Sequence, residues 1–253
     1  MPYRHKLQAS RFELKFIIDR QCAAAVRDFV RTYLVPDEHA RRSAENSYPV
    51  NSLYLDSADL ILFRQAAVGM KNRFKLRIRF YDDRPESPAF LEIKRRITDV
   101  IRKERAAISR DGVRRLLAGR RPDASHVVRG NDEEKSGIAL QNFCSLYDSI
   151  RGQARIYVSY VREAYVLPNS DQVRVTFDRE LLGARFHEDT FLLPPSHGTR
   201  PNVGGVILEL KFTDRFPPWM QELVQAFDLR RRSVPKYNMC IEAMGLQPSN
   251  RMG

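Results

Sequence analysis

Cysteine is scarce in this chain of 253 residues: Cys22, Cys144 and Cys240 are odd in number, far apart and without metal-ligand spacing. That excludes a disulfide framework and a thiolate-held metal centre, and implies free thiols in a reducing compartment. Long apolar runs are missing too. No stretch approaches the ~20 apolar residues of a membrane span, and the basic N-terminus Met1–Leu7 has no apolar core behind it. A cytoplasmic chain is the expectation. Acidic residues are outnumbered, 31 Asp and Glu against 43 Lys and Arg, and the net charge of +12 calls for an anionic partner: nucleic acid, nucleotide, polyphosphate or membrane surface. His5, His39, His126, His187 and His197 fall in termini or loops, and no Ser-His-Asp or Cys-His arrangement is apparent, so nucleophilic catalysis has no candidate.

What the chain does have is alternation. In Asn72–Tyr81, Lys75, Arg77 and Arg79 share one face of a strand and Phe74, Leu76, Ile78 and Phe80 the other. Phe90–Ile97 repeats the pattern with Glu92, Lys94 and Arg96 against Leu91, Ile93 and Arg95, and Thr98–Ile108 sets Ile101, Lys103 and Arg105 on one side. A solvated antiparallel sheet explains any one such strand. It explains less well the recurrence of Glu-x-Lys on strand-like runs far apart, at Glu13–Lys15, Glu92–Lys94 and Glu209–Lys211. If the strands close, the charged face becomes the lining of a basic tunnel.

Along the chain, 11–18 reads as a strand and 20–34 as a helix capped by Asp19 and ended by Pro36; 37–46 reads as a loop or hairpin tip. A strand at 48–55 precedes a short helix from Asp56 to Val68, stopped by Gly69. Ser109 caps a helix to Leu117, 120–136 is a polar loop, and 138–150 is helical. Strands follow at 154–165, 172–178 and 203–212, then a helix opened by Pro217-Pro218 and a last one at 237–244. No linker interrupts the series, which implies one α+β domain over 1–253.

The ordered set Glu13-x-Lys15, Ser52–Ser57, Lys75–Arg79, Leu91–Lys94, Lys103–Arg105, Tyr160-Val-Arg162, Val173–Asp178, Glu209–Lys211 and Pro235-Lys-Tyr237 resembles the VTC-type polyphosphate polymerase domain of the triphosphate tunnel metalloenzymes. The resemblance covers about 10–245. It implies a closed eight-stranded antiparallel β-barrel flanked by helices, a basic lining that grips triphosphate, and a carboxylate-held Mn²⁺ or Mg²⁺. The implied activity is transfer of the terminal phosphoryl group of ATP to a growing polyphosphate, with a membrane protein as a further partner. Carried onto this sequence, the catalytic set is Arg77, Arg79, Lys94, Arg162 and Arg174, further phosphate ligands are Lys15, Lys103, Lys211 and Lys236, and the metal ligand is Glu209. Glu13 and Glu92 are candidates for water-mediated metal contact. Only one acid precedes Lys15, where the wider superfamily has Glu-x-Glu-x-Lys, and this departure favours the polymerase branch. Pro235 stands where a small polar residue is expected.

The residue chemistry suits this implication. A loose phosphoryl-transfer transition state asks chiefly for positioning and charge neutralisation, which arginine forks, mobile lysines and a carboxylate or two supply. The alternatives are tripolyphosphate hydrolysis at the same site, or a non-catalytic module that captures polyphosphate or nucleic acid. Nucleic acid is disfavoured because Phe74 and Phe80 lie opposite the basic face, leaving no stacking aromatics on it.

Overall fold

The computed structural model describes residues 11–98, 100–128, 133–168 and 170–246. In chain order the first elements are β1 (Arg11–Ile18), α1 (Arg20–Arg31), β2 (Val35–Pro36), α2 (Glu38–Arg41), β3 (Tyr48–Asp56), α3 (Ile61–Ala67), β4 (Arg73–Phe80), β5 (Ala89–Ile97) and β6 (Val100–Ile108). After them come α4 (Arg110–Leu117), α5 (Glu133–Ser149), β7 (Gln153–Leu167), β8 (Ser170–Arg185), β9 (Val206–Thr213), α6 (Pro218–Ala226) and α7 (Lys236–Ala243). The class is α+β with antiparallel strand pairing. The chain divides into two compact units, and β7 and β8 each contribute residues to both.

One unit takes the chain up to Tyr48, Val161–Arg179 and Val203–Val234. Its strands are ordered β1-β9-β8-β7, with β2 on β7. Period-two alternation sends Phe16 and Ile18 of β1, Val175 and Phe177 of β8, and Leu208 and Leu210 of β9 into one apolar core, where Val26 and Val30 of α1 meet them. Asp19 starts α1 as expected, its carboxylate accepting the Cys22 amide at 2.7 Å. Gly205 lies at φ 155°, where a Cβ would come within 2.2 Å of the Ile18 carbonyl oxygen; only glycine lets β9 begin against the end of β1. The expected loop 37–46 contains a short helix, α2, because Asp37 caps the Ala40 amide at 2.8 Å.

The other unit takes Pro49–Tyr160, Glu180–Asn202 and the chain from Pro235. Its strands are ordered β7-β3-β4-β5-β6, so β3 to β6 are neighbours in sequence and in space. Leu76, Ile78 and Phe80 of β4, Leu91 and Ile93 of β5, and Ala106 and Ile108 of β6 form a core covered by Val113 and Leu116 of α4 and Leu140 and Phe143 of α5. The helix expected from Asp56 begins five residues later, at Ile61. Asp56 nonetheless starts it from a distance, accepting the Leu62 and Phe63 amides at 2.9 Å each. Within 120–136, expected as a loop, Ala124–His126 makes a 3₁₀ turn and α5 begins at Glu133; residues 129–132 lie outside the described residues.

Candidate functional site

The β3–β6 meander builds one charged face from four cross-strand rows. Partners directly opposite in an antiparallel pair point the same way, and strands lie about 4.8 Å apart. One row is Tyr54, Arg77, Glu92 and Arg105; the next is Lys75, Lys94 and Lys103, three lysines side by side; a third is Arg73, Arg96 and Ile101; Ser52, Arg79 and Phe90 form the fourth. Aromatics expected to be absent from the basic face are thus present on it in Tyr54 and Phe90, the latter already covered by Arg105. Five residues carried over by the resemblance, Arg77, Arg79, Glu92, Lys94 and Lys103, thus share a face. The register adds Lys75 and Arg105, which the carried-over set omitted although their alternation was visible.

Glu92 organises this face. It is 1% exposed, and its carboxylate is within 2.6 Å of Arg77, 2.8 Å of Lys103 and 3.0 Å of Arg105. Burial alone would raise its carboxyl, but Arg77, Arg79, Lys103 and Arg105 outweigh that and hold it far below the usual carboxylate range. Glu92, offered by the resemblance as a metal contact, is here a buried counter-ion. Arg79 is placed differently. The residue is 6% exposed, and its hydrogen bonds are long ones to hydroxyls: Ser52 at 3.4 and 3.5 Å and Tyr160 at 3.4 Å.

The Pro235-Lys-Tyr motif lies at the start of α7, in the same unit. The Tyr237 hydroxyl donates to Asp56 at 2.9 Å, and its ring stacks on Tyr54 with centroids 4.7 Å apart. Tyr54 in turn accepts from Arg77 at 3.3 Å. Asn238 accepts from Lys75 at 3.0 Å, and the Lys236 ammonium sits 4.9 Å above the Tyr160 ring. Asp56 therefore both starts α3 and anchors the helix that presents Lys236.

The first unit carries a second charged face. Across β1, β9 and β8 the rows are Glu13, Lys211, Arg174 and Lys15, Glu209, Thr176. Lys15 lies 3.4 Å from Glu13 and 3.6 Å from Glu209, while Lys211 lies 3.8 and 2.5 Å from the same two carboxylates. Arg162 forks onto Asp178 at 2.6 and 2.7 Å and reaches Glu209 at 3.5 Å. Arg174 is held by Asp37, which also accepts from the Tyr48 hydroxyl at 3.0 Å. The roles of Asp37 and Asp178 are not visible in the sequence, because each pairs with a cation from another segment.

Among the described residues there is no cluster of three or more His, Cys, Asp or Glu that could hold a metal ion. Glu209 and Glu13 nevertheless face one side, and both are reached by the same two lysines. Mg²⁺-like ions are commonly held by one or two carboxylates plus substrate phosphates. In that mode Glu209 and Glu13 would be the protein's share, and a metal there would compete with the cations that already pair with Glu209, namely Lys15, Arg162 and Lys211. Two cavities of about 850 and 470 Å³ lie elsewhere, lined by residues such as Tyr147, Phe186 and Phe191 or Leu140 and Cys144; neither includes a residue of the charged faces.

Both faces contain a lysine that titrates early. Burial lowers the Lys211 ammonium to about 8, with Glu209 opposing and Arg162 assisting. Lys103 is lowered in the same direction by desolvation against the pull of Glu92, but its side chain is nearly half exposed, so Lys211 carries the larger share of the effect. Between about 8 and the 10.5 of a free lysine, the folded protein holds fewer protons than the unfolded chain, so these groups make stability rise with pH across that window. A bound polyanion would favour the charged forms. At about pH 8.5 tripolyphosphate binding should take up protons, giving a calorimetric enthalpy that varies with the ionisation enthalpy of the buffer. A buffer-independent enthalpy would show that neither lysine meets the anion.

Two solved structures resemble the chain. A candidate adenylate cyclase from Bacillus halodurans has a TM-score of 0.48 at 13% identity, with 89% of this chain and 93% of that one covered. A protein from Pyrococcus horikoshii has a TM-score of 0.40 at 13% identity, covering 88% and 94%. Neither likeness is strong enough to bear on function. No curated protein matches the chain. The VTC domain model matches residues 10–245, nearly the whole sequence and every motif described above, and the protein belongs to the VTC domain family.

Proposed function

We propose that this protein is a polyphosphate polymerase, and that its strands close into the eight-stranded barrel of a single domain whose charged faces line a tunnel. The observation that carries the reading is Arg79: buried cations are ordinarily paired, and among the described residues this one has long hydrogen bonds to hydroxyls and feels Glu92 only at a distance, that carboxylate being taken directly by Arg77, Lys103 and Arg105. An anion would supply such a partner, and the lysine row, beyond the row of Arg77 on the same face, suits a chain of phosphates rather than one. In the reaction the bond from the γ-phosphorus of ATP to the β,γ-bridging oxygen breaks as a terminal polyphosphate oxygen bonds to that phosphorus, releasing ADP. Arg77, Arg79, Lys94, Arg162 and Arg174 would hold transferred and neighbouring phosphates in line, and Lys15, Lys103, Lys211 and Lys236 would grip the rest of the polyanion. When bound, Mn²⁺ or Mg²⁺ would neutralise phosphate charge beside Glu209 and Glu13. No helix among the described residues is long and apolar enough to cross a membrane. Use of ATP and three free cysteines favour the cytoplasm.

Purified protein incubated with ATP and Mn²⁺ should make long-chain polyphosphate, resolved on a gel. Orthophosphate release alone would make it a hydrolase, and binding without turnover a capture module. Tripolyphosphate at about a hundred times its dissociation constant should stabilise by about 2.7 kcal/mol, raising the melting temperature by roughly 5 to 10 °C. Sulfate at equal ionic strength should do much less, since it spans one row only; equal shifts would mean a nonspecific basic surface.

A further inference from the structure

The tip of the β4–β5–β6 meander is basic beyond anything the phosphate-binding face requires. Apart from the lysine row, 68–73 and 95–102 hold five cations, Lys71, Arg73, Arg95, Arg96 and Arg102, against one acid, Asp99, which lies outside the described residues. These segments are joined. Asn72 accepts from the Thr98 amide at 3.0 Å, Arg73 is opposite Arg96, and Arg95 is opposite Arg102. Burial and the nearby Arg96 both lower the Arg73 guanidinium, consistent with crowding of like charge.

Large apolar side chains are exposed at the same tip: Val68 (76%), Met70 (45%), Ile97 (41%) and Ile101 (41%). Nine such side chains are exposed among the described residues, and nearly half of them gather here. Exposed aliphatic side chains within a cationic rim suit the boundary of an anionic bilayer, where cations meet lipid phosphates and carboxylates while the aliphatic groups enter the acyl margin. Single-stranded nucleic acid would want aromatic platforms, and these four residues are not aromatic.

We propose that this tip docks the protein on an anionic lipid surface. Docking does not depend on the polymerase reading, since none of the four residues substituted below lies in a row of the charged face. Each cation near such a surface contributes about fivefold to partitioning, so Lys71→Gln with Arg102→Gln should weaken binding about 25-fold. Val68→Ser with Met70→Ser should weaken it roughly tenfold through lost apolar burial. All four positions are exposed, so melting temperatures should not change.

The test is sedimentation of the full chain with phosphatidylcholine vesicles, with and without about 30 mol % phosphatidylserine, at about 0.1 M salt. The expected result is binding to the anionic vesicles alone, reduced in both double variants and unchanged in a control, Arg20→Gln with Arg120→Gln. Equal binding to neutral vesicles, an equal loss in the control, or no effect of the serine variants would overturn docking. So would vesicle binding that survives Lys71→Gln with Arg102→Gln while retention of a single-stranded RNA oligonucleotide is lost, which would assign the tip to nucleic acid.

Discussion

Glu92→Gln will lower the melting temperature by roughly 6 to 12 °C at neutral pH. Glutamine keeps the shape but removes the charge that Arg77, Lys103 and Arg105 share. Removing one partner of a buried ion pair costs about 3 to 5 kcal/mol; the lower end applies because Lys103 and Arg105 are more than a third exposed and water screens them. The pH dependence follows from the depressed carboxyl. Its stabilisation is complete above the unfolded value of 4.5 and is lost only as pH falls below that, toward the folded value. The gap between wild type and variant should therefore be constant above about pH 5 and close in acid. A gap under about 2 °C at pH 7 would mean that the cations need no common counter-ion.

Arg79→Met should act in the opposite sense. Methionine fills a similar volume, and replacing a buried, poorly paired charge by a packed apolar group is often neutral or stabilising. The melt should stay level or rise by a few degrees, while polyphosphate synthesis falls about 10²- to 10³-fold, the usual loss of one preorganised donor. A parallel fall of stability and rate would make Arg79 a structural residue and would remove the main support for the polymerase reading. Arg77→Ala cannot separate the two effects. From sequence alone its side chain reads as a solvated tunnel residue whose loss spares the fold; in the structure it is ion-paired with Glu92, so its removal disturbs both.

The same pairing revises a broader expectation. A tunnel lined by so many lysines and arginines reads from the sequence as strongly self-repelling. In the structure Asp37, Glu92, Asp178 and Glu209 lie buried beside the cations, so much of that repulsion is already relieved. The alternation in β1, β4 and β5 was legible because side-chain direction in a strand depends only on position parity. Partnerships were not: Arg174 finds Asp37 across most of the chain, and nothing near either residue announces it. Asp56 was legible as a helix start but not as the anchor of Tyr237, for the same reason. Short elements such as α2 carry too few residues for a period to show.

The pairing of β1 with β9 sets a condition on how the chain is made. Ile18 is partnered by Val206, so the first strand leaves the ribosome long before its neighbour exists. At about 5 to 20 residues per second it waits roughly 10 to 40 s. The β3–β6 meander, built from sequence neighbours, can assemble during that interval. Arg11–Ile18 meanwhile is an unpaired strand with Phe12, Leu14, Phe16 and Ile18 along one side, which is the composition that recruits other nascent chains. Glu13 and Lys15, placed between those apolar residues, make such pairing costly until residues 206–213 arrive. The two side chains that help form the charged face of the finished protein thus also guard its first strand during synthesis.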